Sequence, residues 1–160
     1  MSEVVRKLQN VGLVVAAYAA IGLGLGVVGS QHLVAGDLVT AEVASSLGTT
    51  DAMVTGVVSF FQFERFVGVA TVVIAAGVGG IVGVRVGDID VAALGSLVGY
   101  PVMLLCAGAL VATLVPDIAG LGRPTPFVLF QSPVPELGAT AIVSGAVSGA
   151  IALSVVVLQP

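Results

Sequence analysis

The sequence predicts an all-α fold: a polytopic membrane protein built as a four-transmembrane-helix antiparallel bundle, with an interfacial segment between helices 1 and 2. Three observations predict it. The chain of 160 residues holds four long stretches free of Asp, Glu, Lys and Arg, namely Val11–Ala35, Phe66–Val84, Val91–Pro116 and Leu137–Leu158. A helix rises 1.5 Å per residue, so about 20 apolar residues cross a bilayer core of about 30 Å, and each stretch is about that long or longer. Hydrophobic residues make up 58% of the chain and charged ones only 9%, where soluble domains carry about 25% charged residues. Mean hydropathy is +1.18. The spans occupy more than half of the chain, which predicts one membrane domain over residues 1–160 and leaves no room for a separate soluble one.

The first span follows Arg6 and Lys7. Its apolar stretch is too long for the core of a cleaved secretory signal, so it reads as an uncleaved signal-anchor. Arg6, Lys7 and Arg85 fall on one side of the bundle, Arg65 and Arg123 on the other. Positive residues before the first helix dominate orientation, which predicts cytoplasmic N- and C-termini, or a virion interior if the membrane is an envelope.

The first connection, Gly36 to Arg65, mixes apolar and acidic positions over Asp37–Ala44 and fits a short interfacial helix. Thr49, Thr50 and Asp51 offer capping oxygens ahead of Ala52. A single helix from Ala52 to Val84 would be about 50 Å long, too long for one perpendicular crossing. A surface segment that turns into the second span near Gln62 is therefore expected, with Phe60, Phe61, Phe63 and Phe66 around headgroup depth. The second connection, Arg85–Asp90, is short and predicts a tight hairpin of helices 2 and 3. Within helix 3, Gly99-Tyr100-Pro101 predicts a kink or local unwinding. The third connection carries Pro116, Pro124, Pro126, Pro133 and Pro135, which predicts no regular helix between Asp117 and Glu136. Its apolar stretch Pro126–Phe130 is expected on the bilayer surface or folded over the helix ends.

Glycine dominates the spans. Five GxxxG spacings occur: Gly22/Gly26, Gly79/Gly83, Gly83/Gly87, Gly95/Gly99 and Gly145/Gly149. Small residues at this spacing let helix backbones approach closely in lipid. With 22 glycines in the chain, chance alone supplies roughly three such pairs, so they predict a compact bundle without proving a dimer. Ala141, Gly145 and Gly149 form the cleanest single ridge.

The chemistry of the chain is sparse. No acidic or basic residue lies near the middle of a span, which counts against an ion pump or a proton-coupled transporter. There is no nucleophile–base pair, no metal-ligand set and no phosphate-binding loop, since the glycines at Gly77–Gly83 lie inside a span with no strand before them. No enzymatic activity, metal or cofactor is expected. Cys106 is the only cysteine and His32 the only histidine, which rules out an intramolecular disulfide and any multi-histidine site. His32, Glu64 and Arg65 form the candidate polar interface at a membrane boundary, where anchoring in the headgroups is the plainer role. Asp37, Glu42, Asp51 and Asp117 read as a solvated acidic face. Nine acidic against five basic residues disfavour a nucleic-acid partner and fit exposure to the high salt of halophilic archaea.

Gly29-x-x-His32-Leu33 closing the first span, Glu64-x-x-x-Gly68 opening the second and Arg85 closing it resemble the layout of DoxX-like proteins. Those are small four-helix membrane proteins, some of them subunits of quinone-linked oxidoreductases. The resemblance covers Val11 to Arg85 and implies an accessory membrane subunit, with no catalytic residue carried over. In architecture alone the chain is also similar to small envelope membrane proteins of pleomorphic viruses of halophilic archaea. Three roles follow, in order: a structural or assembly protein of a membrane or envelope, an accessory subunit of a redox complex, and a small oligomeric channel or carrier. The last would be lined by Ser30, Ser96, Thr113, Ser144 and Ser148. The expected partners are the lipid bilayer and either further copies of the chain or a membrane complex.

Overall fold

The computed structural model describes residues 2–47, 49–115, 125 and 134–158, with side chains except at 34–62, 64, 134 and 135. The described residues form four helices, α1 Glu3–Leu47, α2 Thr49–Arg85, α3 Ile89–Leu114 and α4 Val134–Leu158. Each is long and apolar enough to cross a membrane, over Glu3–Leu33, Arg65–Arg85, Ile89–Leu114 and Glu136–Leu158. The chain is thus an all-α, multi-pass integral membrane protein. Large apolar side chains such as Leu13, Val69, Val73, Ile81, Ile142 and Val157 lie exposed on these helices. In water such a surface would drive aggregation; in a bilayer it is the face that meets lipid.

Several elements differ from expectation, each for a local reason. No surface segment turns near Gln62, because α2 is one helix from Thr49. Nothing between Ala52 and Arg65 interrupts the ladder of main-chain hydrogen bonds: there is no proline, and Gly56 is the one glycine. Helix α1 instead ends at Leu47 and α2 begins at Thr49, so Thr49, Thr50 and Asp51 lie within α2 and not ahead of it. Helix α3 runs through Pro101 without unwinding, consistent with neighbouring helices tolerating the lost bond in a membrane bundle. Helix α4 begins at Val134, ahead of the expected start; Pro135 sits in its first turn, where the missing N–H would have no partner anyway. The acidic residues Asp37, Glu42 and Asp51, the Phe60 and Phe61 rings, and the segment Pro126–Phe130 lie outside the described side chains. Phe66 is exposed, whereas Phe63 is buried.

The helices group into two compact units. The first comprises Met1–Ile21, Gly68–Met103 and Ser132–Pro160 and so contains part of every helix. Its contacts fix the helix directions. Gly95 and Gly99 of α3 lie against Val14 and Tyr18 of α1 in the same order, so these helices run parallel. Gly149 of α4 meets Ile89 and Ala93 while Gly145 meets Ala93 and Leu97, so α3 and α4 run antiparallel. Gly79 and Gly83 of α2 lie against Ser148 and Ala152 of α4 in the same order. The result is an up-down-up-down bundle whose core includes Tyr18, Ala75, Val91, Met103 and Ala152.

The second unit comprises Gly22–Val67 and Leu104–Gln131. There Gly26 of α1 lies against the Ala107 carbonyl and the Leu110 Cβ of α3, each 2.8 Å from where a Cβ would stand. Gly29 receives the ring of Phe63, and Leu33, Val111 and Val115 complete the packing. Gly22, the other half of the first GxxxG pair, is also buried.

The α2–α3 hairpin is as tight as its length implies. Gly87 adopts φ 65°, a backbone conformation costly for any residue with a Cβ. Its N–H donates to the Val82 carbonyl at 3.1 Å, closing α2. The Asp88 carboxylate then accepts from the N–H groups of Asp90 at 3.1 Å and Val91 at 3.3 Å, capping α3.

Candidate functional site

Among the described residues, the buried polar side chains are hydroxyls. Ser96, Ser144, Ser148 and Thr71 are fully buried in the first unit, together with Tyr18. In hydrocarbon a hydroxyl needs a partner from the protein, and neighbouring helices or the residue's own preceding turn supply it. Tyr18 of α1 and Ser144 of α4 share one hydrogen bond, with oxygens 3.3 Å apart and either able to donate. This places α1 and α4 together around a polar contact between residues 126 positions apart in sequence. Gly99 makes the room: a Cβ there would come within 2.5 Å of the Tyr18 ring. Ser148 sits one turn beyond Ser144, and its main chain is what Gly79 packs against.

The Oγ atoms of Ser96 and Ser148 are buried with no hydrogen-bond partner. Each is a buried hydroxyl with unspent donor and acceptor capacity, a condition that costs about 1–3 kcal/mol when nothing compensates. The other two hydroxyls of the expected pore lining behave differently. Ser30 donates to the Gly26 carbonyl at 2.6 Å, and Thr113, which is exposed, donates to the Leu110 carbonyl at 2.9 Å. Both bond back to their own helix; Ser30 is nonetheless buried, and only Thr113 of the expected lining is exposed.

The residues expected to form a polar interface are not brought into a bonded cluster. His32 and Arg65 are both exposed, and neither takes part in an ion pair among the described residues. The Glu64 side chain lies outside the described set. The ion pairs form at the opposite end of the first span. The Lys7 ammonium lies 3.1 Å from an Asp88 carboxylate oxygen and 3.8 Å from one of Asp90. Burial pushes the Asp88 carboxyl up, but the Lys7 hydrogen bond and the N–H groups of Val91 and Asp90 outweigh it and hold the group below its usual range. Lys7 thereby ties the start of α1 to the α2–α3 hairpin.

Sequence reasoning took Lys7 as an orientation signal and missed this tie. The Asp88 cap was missed as well; its signal was an Asp that follows Gly87 and precedes an apolar stretch. Tyr18 and Thr71 were also missed; the signal for Tyr18 was a polar-tipped aromatic in the middle of a charge-free span. Among the described residues no three His, Cys, Asp or Glu side chains gather as metal ligands. What the site offers chemically is hydrogen bonding, through paired and unpaired hydroxyls in an otherwise apolar interior. Comparison with protein-family models, curated proteins and solved structures gave no match to this chain.

Proposed function

We propose that this chain is a non-enzymatic structural or assembly component of a membrane, either a scaffold or an envelope protein. The observation that carries the reading is where the glycines are spent. Gly26, Gly79, Gly83, Gly95, Gly99 and Gly145 each bring a neighbouring helix to about 3 Å or less from a would-be Cβ, several against main chain. Within each compact unit, contacts this close fill the interior with backbone and small side chains, while large apolar residues turn outward to lipid. The N- and C-termini lie on the cytoplasmic or virion-interior side in this reading, since Arg6, Lys7 and Arg85 share the end that the Lys7–Asp88 pair marks. The acidic balance of the chain suits a high-salt exterior.

The test is affinity purification of the tagged chain from its native membrane, in mild detergent and matching salt, with quantitative mass spectrometry. Recovery alone, as a homo-oligomer or with envelope proteins supports the structural role. A stoichiometric oxidoreductase partner would overturn it in favour of the accessory subunit that the DoxX-like layout implies.

A further inference from the structure

An open groove of about 200 Å³ runs between α1 and α2 on the outside of the first unit. Its surface is almost wholly apolar, formed by residues that include Leu13, Ala17, Val78 and Ile81, and Asn10 and Arg85 border it at one end. Asn10 and Arg85 stand at the same end, the membrane boundary that holds the start of α1 and the α2–α3 hairpin. The groove itself is apolar, and the residues that border it at the headgroup end include a cation, Arg85.

A second cation joins that end. Arg6 precedes Asn10 by one helical turn and falls on the same stripe of α1 as Asn10, Leu13 and Ala17. The carboxylates of this end gather elsewhere. Asp88 and Asp90 are both within ion-pairing distance of Lys7, and Glu3 adds its charge to the same ammonium. Neither Arg6 nor Arg85 has an ion pair among the described residues, and both are exposed. Three basic and three acidic residues at this end are thus sorted: the carboxylates gather on Lys7, while Arg85 borders the groove and Arg6 stands one turn beyond Asn10 on the same stripe of α1.

We propose that this groove is a binding site for an anionic phospholipid, with one acyl chain along α1 and α2 and the phosphate between Arg6 and Arg85. The dimensions agree. From Arg6 to Ala17 the helix rises about 16 Å, roughly half the hydrocarbon thickness and so one leaflet. Guanidinium groups bind phosphate oxygens in a forked, charge-assisted geometry that an ammonium does not reproduce, and basic side chains at the membrane surface favour anionic lipid. The Asn10 amide adds a hydrogen-bond donor beside the phosphate or glycerol oxygens.

Native mass spectrometry of the full chain in detergent tests this, with equimolar phosphatidylglycerol and phosphatidylcholine of identical acyl chains. The expected result is preferential retention of one phosphatidylglycerol. R6Q and R85Q should each lower its occupancy about fivefold relative to phosphatidylcholine. Ala17 is exposed and lines the groove, so A17F should exclude both lipids, whereas L94F, on the exposed face of α3, should change neither. Far-UV circular dichroism establishes that each variant is folded. Equal retention of the two lipids by the native chain, or full retention by the R6Q/R85Q double variant, would overturn the site. Displacement of the lipid by millimolar inorganic phosphate would overturn the assignment to a lipid in favour of free phosphate.

Discussion

Gly79→Ala is the sharpest perturbation of the bundle. A Cβ at this position would stand 2.9 Å from both the Cα and the carbonyl carbon of Ser148, and closer still to the carbonyl oxygen. Ordinary carbon–carbon contact begins at about 3.5 Å, so α2 and α4 must part by about half an ångström, and further against the oxygen. The obstacle is main chain, so no change of rotamer relieves it. Two effects oppose each other. Alanine is better than glycine in a helix interior by about 1 kcal/mol, while forcing an extra methyl group into a close contact costs about 1–3 kcal/mol. Gly77→Ala, half a turn away, isolates the first effect, because nothing lies within 4 Å of a Cβ there. Subtracting one variant from the other leaves the packing term: G79A should be less stable than G77A by about 1–3 kcal/mol. Sodium dodecyl sulfate titration in mixed micelles, followed by far-UV circular dichroism, measures both in the same background. G79A equal to G77A or more stable than it would refute a close α2–α4 contact.

Other outcomes follow from the polar contacts. Tyr18→Phe and Ser144→Ala each remove one partner of the same interhelical hydrogen bond, so each should lose about 0.6 kcal/mol and the double variant little more; additive losses in the same titration would show that the two hydroxyls do not meet. Ser148→Ala deletes a buried hydroxyl that has no partner and should leave stability unchanged or raise it by about 1 kcal/mol. A clear loss on that substitution would mean that the hydroxyl holds a bonded group. Asp88→Asn keeps the helix cap and loses the charge, whereas Asp88→Ala loses both, so D88A should be the less stable by about 1 kcal/mol on thermal unfolding. The Asp88 carboxyl is held below its usual range by Lys7 and two N–H groups. Its contribution is therefore complete above the unfolded-chain value of about 3.9 and is lost as pH falls through the lower folded value. The native chain should lose this increment below about pH 4 while D88N should not; the same acid response in both would contradict the pairing.

The spans were legible because a bilayer demands long charge-free stretches, and the four in this sequence are unmistakable. The limits of α1 and α2 were not. Acidic residues such as Asp37 and Glu42 read as a change of environment, yet polarity alone does not end a helix when no proline interrupts its hydrogen bonds. Pro135 misled in the other direction, since a proline count does not distinguish a helix interior from a first turn. The glycine spacings named positions that pack closely, but spacing is a property of one helix and cannot say which neighbour it meets. Gly79 and Gly83 meet α4, Gly95 and Gly99 meet α1, and Gly145 and Gly149 meet α3; these partners emerge only from the folded chain. The same applies to the hydroxyls. Ser144 and Ser148 stand one turn apart on one stripe, but the bond from Ser144 to Tyr18 depends on the room that Gly99 leaves across the bundle.

The central claim is that the outward apolar faces of these helices meet lipid. Cysteine accessibility in native membrane vesicles tests it most directly. In a Cys106→Ser background, Ile81→Cys and Ile142→Cys occupy exposed apolar positions of α2 and α4, and Ser2→Cys lies outside the helices. A membrane-impermeant maleimide should label the Ser2→Cys chain once its side of the membrane is open to the reagent. It should label Ile81→Cys and Ile142→Cys only after the membrane is dissolved. Labelling of the two span positions in intact, opened vesicles as rapid as that of Ser2→Cys would contradict the bilayer assignment.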